Sequence, residues 1–236
     1  MPGYTRRQLK QDKVADTAQE AVHWASGHRQ GVVWVLAIIV VVAVAAGGFY
    51  FWNARQNEQA NVELGKAMQT FTAPLRPAGT PASDTMPTFT SIAERGKAAQ
   101  KQFKDVADKY SLTHAGKIAA YLAGTASVQA GDTASAEQQL KAAAGFRDQN
   151  IASLAKMALG AVYQSTSRPG DAAKIYQEVA DHPTLTVSKV EAQLQLAELY
   201  QSTDPKQAIT IYQQIEKDNP NTPAGQIAAS KLAGGR

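Results

Sequence analysis

Residues 159–183 read LGAVYQSTSRPGDAAKIYQEVADHP, and residues 196–220 read LAELYQSTDPKQAITIYQQIEKDNP. The second stretch repeats the first. YQST occurs at Tyr163–Thr166 and again at Tyr200–Thr203, and IYQEV at Ile175–Val179 returns as IYQQI at Ile211–Ile215. The same register runs back along the chain: Ala99, Ala136, Ala172 and Ala208 lie 37, 36 and 36 residues apart. Phe103, Leu140, Tyr176 and Tyr212 keep those steps, as do Val106, Ala143, Val179 and Ile215. Leu159, Leu196 and Leu232 mark the preceding segment at 37 and 36. A period of this length, with a small residue followed four later by a large apolar one, predicts stacked helical hairpins. The small residue lets two helices approach, and the large one fills the groove to the neighbour. A single hairpin cannot bury its apolar face, so three or more must stack. Turn residues fall where the hairpins need them, at Gly131-Asp132, Pro169-Gly170-Asp171 and Asp204-Pro205 within units, and at His182-Pro183 and Asn219-Pro220 between them. The last segment, Thr222–Ala233, reads as a single capping helix.

Composition agrees and narrows the function. Of 236 residues, 43 are alanine, which favours helix. There is no cysteine, which excludes disulfides, thiolate metal sites and a cysteine nucleophile. The net charge of +4 is split evenly: residues 1–29 carry +2 and the remaining 207 carry +2. No basic stripe with interleaved aromatics appears, so nucleic acid is not an expected partner.

Upstream of the repeats, residues 32–52 read VVWVLAIIVVVAVAAGGFYFW, 21 residues without a charge. At 1.5 Å per residue that helix spans about 30 Å, the thickness of a bilayer core. Trp34 near one end and Tyr50, Phe51 and Trp52 at the other fit an aromatic belt. Five Lys/Arg precede the run, so the positive-inside rule puts the N-terminus in the cytoplasm and the rest across the membrane. A cleaved signal peptide is the alternative, with Ala43-Val44-Ala45 resembling a cleavage site. The long preceding segment and the long apolar run favour an uncleaved signal anchor. The expected layout is a basic, helical tail over 1–29, the anchor over 30–52, a juxtamembrane helix over 53–72, a Pro/Thr-rich linker over 73–89, and the repeat domain over 90–233. The fold class is therefore all-α, one transmembrane helix followed by an α-solenoid of helical hairpins.

These units resemble the tetratricopeptide repeat. The family pattern of Leu-Gly, Tyr, Ala, a large aromatic and a closing Pro is met at Leu159, Gly160, Tyr163, Ala172, Tyr176 and Pro183, and again at Leu196, Ala197, Tyr200, Ala208, Tyr212 and Pro220. An earlier unit keeps Gly124, Gly131, Ala136 and Leu140 but has Ser127 in place of Tyr. The whole layout, with its Phe51-Trp52-Asn53 junction, is similar to the YfgM family, ancillary subunits of the bacterial SecYEG translocon with a periplasmic chaperone-like role. That resemblance implies an inner-membrane protein with a periplasmic repeat domain, and partners that are unfolded or extended protein segments or translocon subunits. The tetratricopeptide resemblance implies a concave groove lined by the first helix of each hairpin. Its exposed positions here are Ile118, Tyr121, Val128, Leu154, Met157, Gln164, Glu191, Leu194, Glu198 and Gln201. The set is apolar at one end and acidic at the other. The helix at 55–71 or the helix at 90–110 is the competing occupant of that groove. A structural subunit of one fixed membrane complex is the alternative to a chaperone-like adaptor. No HExxH, GxSxG, Walker or dinucleotide motif is present, and His114 and His182 sit at a helix start and a turn. No enzyme activity, cofactor, metal or small-molecule substrate is expected.

Overall fold

A computed structural model describes residues 29–77, 79 and 87–234; residues 1–28 of the expected helical tail lie outside them. The described residues form nine α-helices and no β-strand: α1 (Arg29–Phe71), α2 (Ile92–Lys109), α3 (His114–Ala130), α4 (Thr133–Ala144), α5 (Gln149–Ser165), α6 (Pro169–Asp181), α7 (Lys189–Thr203), α8 (Pro205–Asp218) and α9 (Pro223–Gly234). Two compact units meet within α1, one ending at Arg55 and the other beginning at Gln56.

In the first unit, α1 is long and apolar enough to cross a membrane. Its residues from Val33 to Phe51 are all exposed. Among the described residues of this unit nothing covers that apolar stretch. At its polar end the Phe49 and Trp52 rings meet at a tilt with centroids 6.0 Å apart, and the Arg55 guanidinium lies 4.8 Å from the centre of the Phe51 ring.

The second unit is the stack of hairpins. Most of its helices begin on side-chain caps that satisfy otherwise orphaned N–H groups. The side chains of Ser91, Thr113, Asp132, Asp148, Ser188 and Asp204 accept from the first-turn amides of α2, α3, α4, α5, α7 and α8. Proline opens α6 and α8, where its missing N–H costs nothing. Gly131 closes α3 in the left-handed region at φ 78°, where a Cβ would be strained. The turns between helices are short, so consecutive helices run antiparallel and pack pairwise.

The small-on-large pattern has a concrete geometry. A Cβ at Gly160 would lie 2.5 Å from Tyr176 Cε1, and one at Gly124 would lie 2.6 Å from Leu140 Cγ. In the α3–α4 and α5–α6 hairpins the large residue of the second helix thus sits on a glycine of the first. Leu140, Tyr176, Leu159, Val162, Leu196 and Leu199 join one buried cluster across α4 to α7. Each fully buried large side chain contributes about 1.5–3 kcal/mol by leaving water.

The stack also has a hairpin ahead of α3. Ala60 and Ala67 of α1 are buried in one cluster with Ala99, Phe103 and Val106 of α2 and with Ala115, Ala119, Ala123 and Ala126 of α3. Phe71 meets Phe103 edge-on at 5.6 Å. The Glu63 carboxylate accepts from Lys109 Nζ at 2.8 Å and from Tyr110 Oη at 2.9 Å, while Arg95 Nη1 donates to Ala73 O at 2.9 Å. Those contacts set residues 56–71 antiparallel to α2, whose Ala99, Phe103 and Val106 hold the repeat register. The Pro-rich segment connects the pair, and its two ends meet. Arg76 N donates to Phe89 O at 2.8 Å, Phe89 N donates to Pro74 O at 3.3 Å, and the Arg76 guanidinium bonds Thr88.

Candidate protein-binding surface

The ten positions expected to line a groove lie on the first helices α3, α5 and α7, and the structure divides them. On α3, Ile118 and Tyr121 are half-buried and Val128 is 48 % exposed. The face of α3 that meets α1 and α2 is a different one, made by Ala115, Ala119, Leu122, Ala123 and Ala126. Tyr121 instead leans on the central cluster, and burial pushes its phenol pKa up.

On α5, Leu154 and Met157 are one turn apart and half-buried. Both rest on the small cluster of Val179, Ala180, Val187 and Ala192, and Met157 also touches the central one. Tyr121 and Met157 therefore share a base, and Leu154 adjoins it. Gln164 is exposed. On α7, Leu194 packs on a separate cluster with Tyr212, Ile215 and Ala228. Glu191, Glu198 and Gln201 are exposed, and Glu198 pairs with Lys231 of α9 at 3.7 Å. The apolar members gather toward α3 and α5, and the acidic ones lie on α7.

Glu198 also acts on two buried phenols. Tyr176 is 1 % exposed and its hydroxyl has no hydrogen-bond partner. Burial foremost, and then the Glu198 charge, push its pKa up to about 12. Tyr212 is shifted in the same direction by the same two causes. Tyr212 further lines a cleft of about 520 Å³ between α8 and α9, with Ile209, Ala229 and Leu232.

The repeat register does not reveal the polar contacts that join neighbouring hairpins. Arg168 Nη1 lies 3.0 Å from both carboxylate oxygens of Glu137, and the guanidinium covers the Tyr163 ring at 4.0 Å. Hydrogen bonds from Lys141 and then Arg168 hold the Glu137 pKa down. The only sequence signal for this cluster was Tyr163 itself, whose counterpart Ser127 is buried and bonds Ala123 O and Gln139 instead.

His114 sits 3.4 Å from Asp148, and His182 Nδ1 sits 3.1 Å from Glu178 O, which are turn and cap positions. Among the described residues no group of three or more His, Cys, Asp or Glu side chains is arranged to hold a metal.

The profile of the tetratricopeptide repeat-like domain matches residues 24–183, about two thirds of the chain. No curated protein and no solved structure matches. The matched stretch includes the apolar helix and runs to Pro183, the end of the α5–α6 hairpin. No enzyme family is indicated, and domains of the matched kind are typically non-catalytic interaction modules. With repeat register, small-on-large packing and this match in agreement, the chain belongs to the tetratricopeptide repeat-like domain family.

Proposed function

We propose that the protein is a membrane-anchored scaffold, a chaperone-like adaptor that holds extended or unfolded segments of envelope or secreted proteins. The observation that carries this reading is the half-buried apolar strip of Tyr121, Leu154 and Met157 on the first helices, apart from the alanine face of α3 that clusters with residues 56–71. Aromatic and thioether side chains adapt to varied apolar partners with little sequence preference. Val128 extends the strip, and Glu191, Glu198, Gln164 and Gln201 give it a polar end. Residues 30–52 serve as a signal anchor in the bacterial inner membrane, with the N-terminus cytoplasmic and the repeats periplasmic. The anchor raises the effective concentration of the strip near chains that emerge from the membrane. The SecYEG translocon is the proposed neighbour, on the layout it shares with the YfgM family.

The test is in-cell crosslinking from a photo-reactive residue at Met157 of the full chain. Crosslinks to many unrelated exported proteins and to translocon subunits are expected. One dominant partner would replace the adaptor with a structural subunit of a fixed complex. Crosslinks confined to the chain itself would mean that the strip is filled internally, and the binding role would be withdrawn.

A further inference from the structure

The repeat register says what each helix of the stack touches, and α9 departs from it. In the α5–α6 hairpin Gly160 lies under the Tyr176 ring. In the α7–α8 hairpin Ala197, one register step on, is buried in one cluster with Tyr212. Leu159 and Leu196, beside them in sequence, are 4 % and 2 % exposed. The next step lands on Leu232 and Ala233 of α9. Leu232 is only half-buried and Ala233 is exposed. By register α9 is a first helix, and among the described residues it packs on α7 and α8 with no second helix of its own.

The uncovered face is a groove. Inside the stack, the space between a second helix and the first helix that follows is filled by the next second helix. Thus Ile211 of α8 packs on the cluster that holds Tyr176 of α6 and Leu196 of α7. The corresponding space between α8 and α9 is the cleft of about 520 Å³, lined by Ile209, Tyr212, Ala229, Leu232 and Ala233. Ile209 is 45 % exposed, whereas Ala173, its counterpart on α6, packs on the central cluster. A cap that merely ended the core would turn a polar face outward.

We propose that this cleft docks one helix of a partner protein, seated against α9 as its second helix. The hairpins themselves state the chemistry of that helix. Second helices carry a small residue and a large apolar one four later: Ala136 and Leu140, Ala172 and Tyr176, Ala208 and Tyr212. The small residue lets the helix come close. The large one rests on the small position of the first helix, which in α9 is Ala233. The partner is an amphipathic helix with Ala or Gly followed four residues on by Tyr, Phe or Leu. Glu216 and Lys231 at the rim offset each other, so apolar shape rather than net charge selects it. The site lies wholly within the repeat unit and depends neither on the apolar helix nor on the strip at Met157.

The α8 sequence is itself a helix of this kind and serves as the probe. A peptide of residues 204–219 is held helical by a lactam bridge from Lys206 to Thr210→Glu, two positions exposed in α8, and carries a fluorophore. Anisotropy reads its binding to the full chain in detergent. Saturable binding is expected, weakened about tenfold or more by Tyr212→Ala in the peptide. Ile209→Glu and Ala233→Glu in the protein, both at exposed positions, should weaken it as much, with the circular dichroism of the protein unchanged. Val128→Glu, on the apolar strip, should leave it unaltered. Wild-type binding by both groove variants, or loss with Val128→Glu, would put the peptide elsewhere and overturn the site. So would the absence of binding up to about 1 mM peptide. Sedimentation of the full chain alone covers the other occupant: a dimer that Ile209→Glu dissociates would give the groove to a second copy and overturn the partner helix.

Discussion

The turn ahead of α3 and the turn ahead of α7 both join one hairpin to the next, but they close by different chemistry. Ahead of α3 the chain reverses within Tyr110–Thr113, and a Cβ on Gly116 would overlap the Tyr110 carbonyl oxygen. The same device recurs ahead of α9, where Thr222 caps and a Cβ on Gly225 would overlap the Asn219 carbonyl oxygen. The two starts share a sequence form, Thr113-His-Ala-Gly116 and Thr222-Pro-Ala-Gly225. Ahead of α7 the chain takes residues 182–188, where Thr184 N donates to Val187 O and the Thr184, Thr186 and Ser153 hydroxyls bond across to α5. The contrast teaches that one repeat register accepts either turn. Backbone contact makes the tight turn depend on a missing side chain, whereas the open turn depends on hydrogen bonds that can be lost singly.

That contrast can be broken or sharpened by substitution, each read by urea denaturation of the full chain followed by circular dichroism. The largest effect is expected at the tight turn. Gly116→Ala sets a methyl against a carbonyl that cannot rotate away, and should cost about 3 kcal/mol. A loss below about 1 kcal/mol would show that the backbone gives, and the distinction between the turns would fall.

Gly160→Ala tests the same crowding against a side chain. The Tyr176 ring must shift by nearly an ångström, so about 2 kcal/mol is expected. A cost equal to or above that of Gly116→Ala would reverse the proposed order of rigid and yielding neighbours.

Ser153→Ala removes the hydroxyl beside Thr184 at the open turn, and should cost about 1 kcal/mol. Thr186→Ser, which keeps a hydroxyl, should stay near wild type; if it behaves like a deletion, the bond to Asn150 O is not what closes the turn.

The smallest effect is expected at Tyr176→Phe, because the buried hydroxyl has no partner to lose, and neutral-pH stability should change by less than about 0.5 kcal/mol. Its signature is pH dependence. The folded phenol titrates near 12 against an ordinary value near 10. Burial therefore favours the neutral form: this contribution is fully present below pH 10 and is lost as pH rises from about 10 to 12. The variant should lose less stability than wild type over that interval; an identical alkaline profile would mean that Tyr176 ionises as freely folded as unfolded.

Much of the fold was legible in the sequence because the repeat states its own register. The alanine and aromatic anchors, the prolines opening α6 and α8 and the capping residues each follow from local chemistry, and the helices start where these signals fall. Residues 56–71 were harder to place. The sequence set them apart from the repeats as a juxtamembrane helix, yet Ala60 and Ala67 are buried against α2 with Leu64 and Phe71 packed beside them, while Val62 is 56 % exposed and Met68 36 %. Close helix packing uses the small residues, which no hydropathy pattern marks in an alanine-rich chain. The Pro-rich connection also hid the pairing by separating α2 from its partner.

The candidate surface shows the same division. Sequence register placed its ten positions on first helices, but could not say that α1 and α2 meet α3 along its alanine face, or that Leu194 belongs to a different cluster from Leu154 and Met157. By itself the sequence determined the helices, their order, the repeat and the apolar span, because these depend on neighbours within a few turns. The tertiary structure alone decided which face of each helix is covered, that Glu137 holds Arg168, and that the Tyr176 hydroxyl is stranded near Glu198. Those facts depend on residues some 20 to 70 positions apart, whose meeting is set by how the hairpins stack.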